Sequence, residues 1–230
     1  MKILTILLLI STSFLEVRAQ WKGWGSTSTY AFDHSANLLH TKDITGDGKR
    51  DLTVFFSASH PSFVILQGLG NGGFLSPLQL PKEEKYFLSD IADLNEDGKP
   101  DLVIASYWNN GLKIYFGKGS NQFSEGVYMA TGVHGRNVRC VDINRDGHVD
   151  IVASTSGSGQ TISLHVFLGR GNGSFQAKQS FLSVLDTARE LSIIDKNNDG
   201  RLDVIVSSSF PWFVMFLQQT DGSFQPSYHP

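Results

Sequence analysis

A nine-residue acidic pattern occurs four times in this chain, in register and without gaps, and limits the possible folds more than any other feature. The copies begin at Asp43, Asp93, Asp142 and Asp195, about fifty residues apart. Each has aspartate first, fifth and ninth, glycine sixth, and threonine or asparagine third. A unit of this length is too long for a leucine-rich or ankyrin repeat and suits a four-stranded blade.

The flanking residues repeat as well. Every copy leads into an apolar, β-branched run: Leu52 to Phe56, Leu102 to Ala105, Ile151 to Ala153 and Val204 to Val206. Such runs read as strands buried on both faces. A second run follows at Phe63 to Leu66, Leu112 to Phe116, Ile162 to Leu168 and Phe213 to Leu217. A turn rich in glycine and polar residues then ends in Phe74, Phe123, Phe175 or Phe224. Glycine and asparagine suit tight hairpins because they tolerate positive φ. One unit therefore reads as inner strand, acidic loop, buried strand, turn, third strand, hairpin and outer strand. The expected fold is all-β: a β-propeller-type array of four four-stranded antiparallel blades, either a closed small ring or a partial propeller. The units run over about 31–80, 81–130, 131–184 and 185–230. Pro226 and Pro230 leave little room for a last outer strand, so Trp21 to Tyr30 is expected to pair with the last blade.

The acidic spacing specifies a hard cation. Residues one, three and five of a tightly turning loop face a common centre, and glycine at six permits the left-handed backbone this turn needs. The expected ligands are Asp43, Thr45, Asp47, the Lys49 carbonyl and Asp51; Asp93, Asn95, Asp97, the Lys99 carbonyl and Asp101; Asp142, Asn144, Asp146, the His148 carbonyl and Asp150; and Asp195, Asn197, Asp199, the Arg201 carbonyl and Asp203. Two carboxylates 4 Å apart repel by roughly 4 kcal/mol at an effective dielectric of about 20. Calcium is the expected cofactor, because it accepts an all-oxygen shell more readily than magnesium does. Zinc is disfavoured without a set of histidine or cysteine ligands. An EF-hand is excluded: its twelfth residue is glutamate, whereas Val54, Ile104, Ala153 and Val206 stand there.

The pattern Asp-x-Asn/Thr-x-Asp-Gly-x-x-Asp, followed by an apolar strand and a turn ending in Phe, resembles the FG-GAP/VCBS repeat family. That family includes the blades of integrin α-subunit propellers and related secreted propellers, some of them lectins. The resemblance covers about Asn37 to Phe224 and implies calcium at the four loops, between the first and second strands of each blade. Thr45 departs from the asparagine of the other copies. Blade number departs too, since propellers of this family more often have seven.

Residues 1–19 read as a signal peptide: Met1 and Lys2, an apolar stretch from Ile3 to Ile10, and a small residue at Ala19. The apolar stretch falls short of the ~20 residues needed to span a bilayer. The expected location is therefore secreted, without stable membrane insertion, and residues 20–230 form the repeat domain. Cys140 is the single cysteine, so no internal disulfide forms, and its strand context predicts core packing. A net charge of −3 without a basic stripe argues against nucleic acid.

Catalytic signatures are missing from the sequence. Gly68 to Gly73 matches a dinucleotide fingerprint as a string, yet a hairpin is expected where a helix would have to open. The turns opposite the acidic loops carry Tyr107, Trp108, Asn109, Asn110 and Trp212, with Arg136 and Arg189 beside them. Aromatics next to amides and charges suit a glycan or an extracellular protein partner. The expected function is a non-catalytic binding or adhesion module. A structural or assembly module without a small ligand, including one that self-associates, and a hydrolase built on a propeller scaffold are the alternatives. Asn172-Gly173-Ser174 is an N-glycosylation sequon on a hairpin.

Overall fold

The computed structural model describes residues 4–11, 14–21, 28–32, 36–56, 63–75, 78–79, 86–106, 110–119, 122–124, 127–132, 134–156, 162–183, 188–208 and 213–229. Among them, strand is the only extended regular structure. They form four four-stranded antiparallel sheets, one three-stranded sheet and one two-stranded hairpin.

The four-stranded sheets follow the sequence repeat. The first holds Ala36–Lys42, Asp51–Phe56, Phe63–Leu66 and Leu78–Gln79. The second holds Tyr86–Ala92, Asp101–Ser106, Gly111–Tyr115 and Val127–Ala130. The third holds His134–Val141, Asp150–Ser156, Ile162–Phe167 and Gln179–Leu182. The fourth holds Leu191–Ile194, Asp203–Ser207, Phe213–Gln218 and Phe224–His229. Each is a simple meander, so the connection between strands one and two shares an end with the connection between strands three and four.

Two expectations need correction. A three-stranded sheet of Leu4–Ser11, Phe14–Trp21 and Ser28–Phe32 adds to the four repeats, so the described sheets exceed the four blades. Of the leading segment expected to pair with the last blade, residues 22–27 lie outside the described residues, and Trp21 and Ser28 to Tyr30 belong to the three-stranded sheet. Ser28 lies opposite Ala19, and the fourth sheet takes its outer strand from its own repeat, Phe224–His229. Pro226 sits opposite Phe216 in that outer strand, an edge position where a missing N–H costs no inner ladder bond.

The chain divides into two compact units, Met1–Lys85 with Gly119–Asn121, and Tyr86–Lys118 with Gln122–Pro230. In the first, Leu52, Val54, Val64, Ile65 and Leu66 are buried in the two middle strands of the sheet. In the second, the period-two alternation of a strand explains how one sheet serves two cores. Ile151 and Ala153 join Val103, Leu112 and Ile114 of the second sheet and Leu94 of its acidic loop. Val152, on the opposite face of the same strand, joins Val204, Val206, Val214 and Phe216 of the fourth. Phe181 and Phe224 meet edge to face, with centroids 5.3 Å apart.

Several buried polar side chains in these sheets are paired, whereas Thr53 Oγ1 and Asn137 Oδ1 are buried without a hydrogen-bond partner. Asn137 donates to Ser154 Oγ at 3.1 Å. His165 bridges Thr155 Oγ1 at 3.0 Å and Ser180 Oγ at 2.9 Å. Burial, with Lys178 nearby, pushes the His165 imidazole down to about 4, which keeps it neutral in the core at physiological pH. Cys140 is half-buried rather than enclosed, and its backbone N–H donates to Asp90 Oδ2 at 2.9 Å.

Candidate metal centres in the four acidic loops

Each acidic loop joins the first and second strands of its sheet and curls through the same hydrogen bonds. The first aspartate collects backbone donors. Asp43, Asp93, Asp142 and Asp195 accept the N–H of Gly48, Gly98, Gly147 and Gly200 on Oδ2, at 2.8, 2.8, 2.9 and 2.9 Å. Their Oδ1 atoms accept the N–H of the fifth residue at 3.1, 3.2, 3.1 and 3.2 Å. The fifth aspartate then accepts from the seventh residue: Lys49, Lys99, His148 and Arg201 donate at 2.9, 2.9, 2.9 and 2.8 Å.

The glycine at position six behaves as its type requires, with φ of 79°, 80°, 91° and 85°. Position four is left-handed as well, and only the first copy has glycine there. Gly46, Glu96, Arg145 and Asn198 have φ of 73°, 56°, 62° and 57°. For glutamate and arginine this conformation costs roughly 1–2 kcal/mol. The left-handed backbone is kept at this position in all four loops, even where glutamate and arginine must bear its cost, which ties the curl to the loop as a whole.

The ninth aspartate anchors the loop. Asp51, Asp101, Asp150 and Asp203 are fully buried. Oδ2 accepts the N–H of the second loop residue: Ile44, Leu94, Ile143 and Lys196 at 2.8, 2.8, 2.9 and 3.0 Å. Oδ1 accepts a donor at or just beyond the end of the third strand: Gly68, Gly117, Gly169 and Gln218 at 2.8, 2.8, 2.7 and 2.9 Å. These last four partners escape a reading of the sequence because their separation from the aspartate varies between 15 and 19 residues. At Gly169 a Cβ would overlap the Val149 carbonyl. Gly169→Ala is therefore expected to cost about 1–3 kcal/mol through forced backbone displacement. Urea denaturation reads it, and an unchanged midpoint would discard the close-approach argument.

The electrostatics differ along the loop. Asp47, Asp146 and Asp199 lie below the ordinary carboxylate range, chiefly because they accept the N–H of Lys49, His148 and Arg201. Burial pushes the Asp101 and Asp150 carboxyls up, despite the N–H groups they accept, and the nearby Asp93 and Asp97, or Asp146, add repulsion. Cationic side chains at position seven lean on the fifth aspartate: Lys49 at 3.5 Å from Asp47, Lys99 at 3.3 Å from Asp97, and Arg201 against Asp199. His148 instead reaches across to Glu96 of the second loop at 2.6 Å, which raises the imidazole above its ordinary value.

Among the described residues, no group of three or more His, Cys, Asp or Glu side chains is gathered so as to hold a metal ion. The loops nevertheless fit a hard cation in their donor chemistry. All predicted positions are present as carboxylate, amide, hydroxyl or carbonyl oxygens. Asn95, Asn144 and Asn197 turn their Oδ1 inward to the N–H of the fifth residue, at 3.1, 3.0 and 3.2 Å. Thr45 Oγ1, their counterpart in the first loop, is buried without a hydrogen-bond partner. A buried oxygen with an unused lone pair at a ligand position is what a cation would engage.

The partner-face residues are only partly described. Tyr107, Trp108, Asn109 and Trp212 lie outside the described residues. Asn110 closes the turn between the second and third strands of its sheet, at the end opposite the acidic loop. Its carbonyl accepts the N–H of Thr131 and Gly132 at 3.0 and 3.1 Å. Arg136 is half-buried in a first strand, and Arg189 is exposed just before another.

An all-β, propeller-like repeat array, with an acidic oxygen-rich loop between the first two strands of each sheet, is the class of protein that this fold and site define. The FG-GAP-like repeat family model matches three consecutive stretches, residues 43–104, 93–153 and 142–206, each running from one acidic loop past the next. The chain belongs to the FG-GAP-like repeat family. It is similar to phosphatidylinositol-glycan-specific phospholipase D of Mus musculus, 28% identical over 161 residues, which is 58% of this chain and 19% of that protein. The Rattus norvegicus protein of the same name is 26% identical over 192 residues, or 70% and 22% of the two chains. This chain thus spans about a fifth of the length of these relatives.

Two solved structures share the fold. A functionally unknown protein from Desulfotomaculum acetoxidans superposes with a TM-score of 0.63 at 13% identity, over 93% of this chain and 64% of that one. AofleA from Arthrobotrys oligospora gives 0.55 at 10% identity, over 94% and 65%.

Proposed function

We propose that this chain is a secreted, calcium-stabilised repeat module that binds a glycan or an extracellular protein and is not an enzyme. The observation that carries the calcium reading is the fourfold recurrence of one loop geometry. Its left-handed fourth and sixth residues and its anchored ninth aspartate hold hard oxygens around a single turn. Asp43, Thr45, Asp47 and the Lys49 carbonyl would hold the ion in the first loop. Asp93, Asn95, Asp97 and the Lys99 carbonyl would do so in the second. Asp142, Asn144, Asp146 and the His148 carbonyl serve the third, and Asp195, Asn197, Asp199 and the Arg201 carbonyl the fourth. The buried ninth aspartate already serves at least two backbone donors, and three at Asp51, and would complete the shell with its remaining lone pairs. Calcium would supply positive charge to each carboxylate cluster, in place of the Lys49, Lys99 and Arg201 heads that rest on the first, second and fourth.

The binding role rests on the meander geometry. Anchored loops occupy one end of each sheet, which leaves the opposite end, with Asn110, Arg136 and Arg189, for recognition. The phospholipase activity in the rodent relatives' name is not carried over, because the shared region is a small part of those proteins.

Calorimetric titration of chelator-stripped protein with calcium tests the reading. The expected result is saturable binding near ~10⁻⁴–10⁻³ M, the range of extracellular calcium modules. Asp142→Ala together with Asp146→Ala should remove one site and spare the others. Heat no greater than that of dilution, together with no calcium by elemental assay, would defeat it.

A further inference from the structure

The third sheet carries a hairpin chemistry that the acidic loops do not use. Between its third and fourth strands lie Gly171, Asn172, Gly173 and Ser174. Asn172 Oδ1 accepts the N–H of Ser174 at 3.0 Å and its hydroxyl at 2.6 Å, forming an Asx turn. The fold uses that turn elsewhere. Asp221 accepts the Ser223 N–H at 2.9 Å and the Ser223 hydroxyl at 2.6 Å in the fourth sheet, and Asn71 accepts the Gly73 N–H at 3.0 Å in the first. The turn therefore needs an oxygen at this position, and a carboxylate serves as well as an amide.

The flanking glycines decide which way the side chain points. A Cβ at Gly171 would run into Glu96 and His148, and one at Gly173 would meet the Phe116 ring. The Gly173 N–H donates to the Leu94 carbonyl at 3.1 Å. Both glycines thus lie against the second acidic loop, and Asn172 between them is exposed to solvent. Its Oδ1 is engaged by the turn, while its Nδ2 is left to solvent. Asn172-Gly173-Ser174 is also the single Asn-x-Ser/Thr triplet of the whole sequence.

We infer that Asn172 is an N-linked glycan acceptor, placed so that the sugar hangs from the acidic-loop end of the third sheet without disturbing it. The inference rests on the reading that the chain enters a secretory pathway. Nδ2 attacks the anomeric carbon of a lipid-pyrophosphate-linked oligosaccharide supplied by that pathway. The Nδ2–C1 bond forms and the C1–O bond breaks. The lipid pyrophosphate leaves with the electron pair, and Nδ2 gives up one proton to the transferase base. Oδ1 takes no part, so the Asx turn survives the modification. The glycan then projects from the end opposite Asn110, leaving the proposed recognition end open.

The test expresses the full chain in a eukaryotic secretory host, once with its own N-terminal segment and once behind a heterologous cleavable leader. The expected product of the second is a glycosidase-sensitive species whose peptide map places the sugar on Asn172. Asn172→Asp keeps the turn oxygen and removes the acceptor nitrogen. It should abolish the sugar and leave the melting midpoint unchanged, as Asp221 does this work in the fourth sheet. Ser174→Ala should abolish the sugar as well. Secreted protein carrying an unmodified Asn172 would overturn the inference. A sugar present behind the heterologous leader, with none and no export behind the native segment, would uphold the acceptor site and remove the export reading alone.

Discussion

Asp150→Ala is expected to lower unfolding free energy by roughly 2–6 kcal/mol, because it strands two buried donors at about 1–3 kcal/mol each. The donors are the N–H groups of Ile143 and Gly169, at 2.9 and 2.7 Å from a carboxylate that is fully buried. One belongs to the start of the acidic loop and the other to the turn after the third strand, so the single side chain ties two connections at one end of the sheet. Alanine offers these N–H groups no acceptor in its place. Such a loss is large against the 5–15 kcal/mol that typically separates folded from unfolded domains. Asp150→Asn should fall between wild type and alanine, since it retains one oxygen and removes a charge that burial already disfavours. Urea denaturation followed by tryptophan fluorescence and circular dichroism measures both variants. A loss below about 0.5 kcal/mol for alanine, the range of ordinary surface changes, would refute the anchoring role.

Calcium removal is expected to produce the other large effect. At ten times its dissociation constant, each ion adds about 1.4 kcal/mol to stability by mass action. Four occupied loops then contribute roughly 5–6 kcal/mol, which for a domain of this size corresponds to a melting shift of about 10 °C or more. The loops are expected to keep their curl when the ion is removed, because they carry restraints of their own. Their backbone N–H groups grip the first, fifth and ninth aspartates, and Lys49, Lys99 and Arg201 offset part of the charge. Melting in chelator is therefore expected at a lower temperature, restored by calcium and only weakly by magnesium. Equal melting temperatures in chelator and in millimolar calcium would end the metal reading.

Much of the blade was legible in the sequence because its physics is local. The run from Ile151 to Ala153 declares a strand buried on both faces, and Ile151 and Val152 indeed enter different cores. Gly147, at the sixth loop position, declares a left-handed residue and has φ of 91°. Arg145 carried no such signal. Its left-handed backbone is imposed by the ring of hydrogen bonds closing on Asp142, against the preference of its own side chain. The outer strand of the last sheet was misread for a related reason. Pro226 argues against a strand by its own chemistry, yet the edge position leaves its missing N–H without consequence.

What the sequence by itself determined is the unit: a strand, an acidic curl, two further strands, a hairpin and an outer strand, each specified by residues within a few positions of one another. Only the tertiary structure decided how those units are pinned. The ninth aspartate finds its second donor at a variable distance along the chain, and Glu96 meets His148 across 52 residues of sequence. Periodicity records what a residue needs from its neighbours in the chain. Partners brought together by packing leave no regular spacing behind, so they become visible only when the sheets stand side by side.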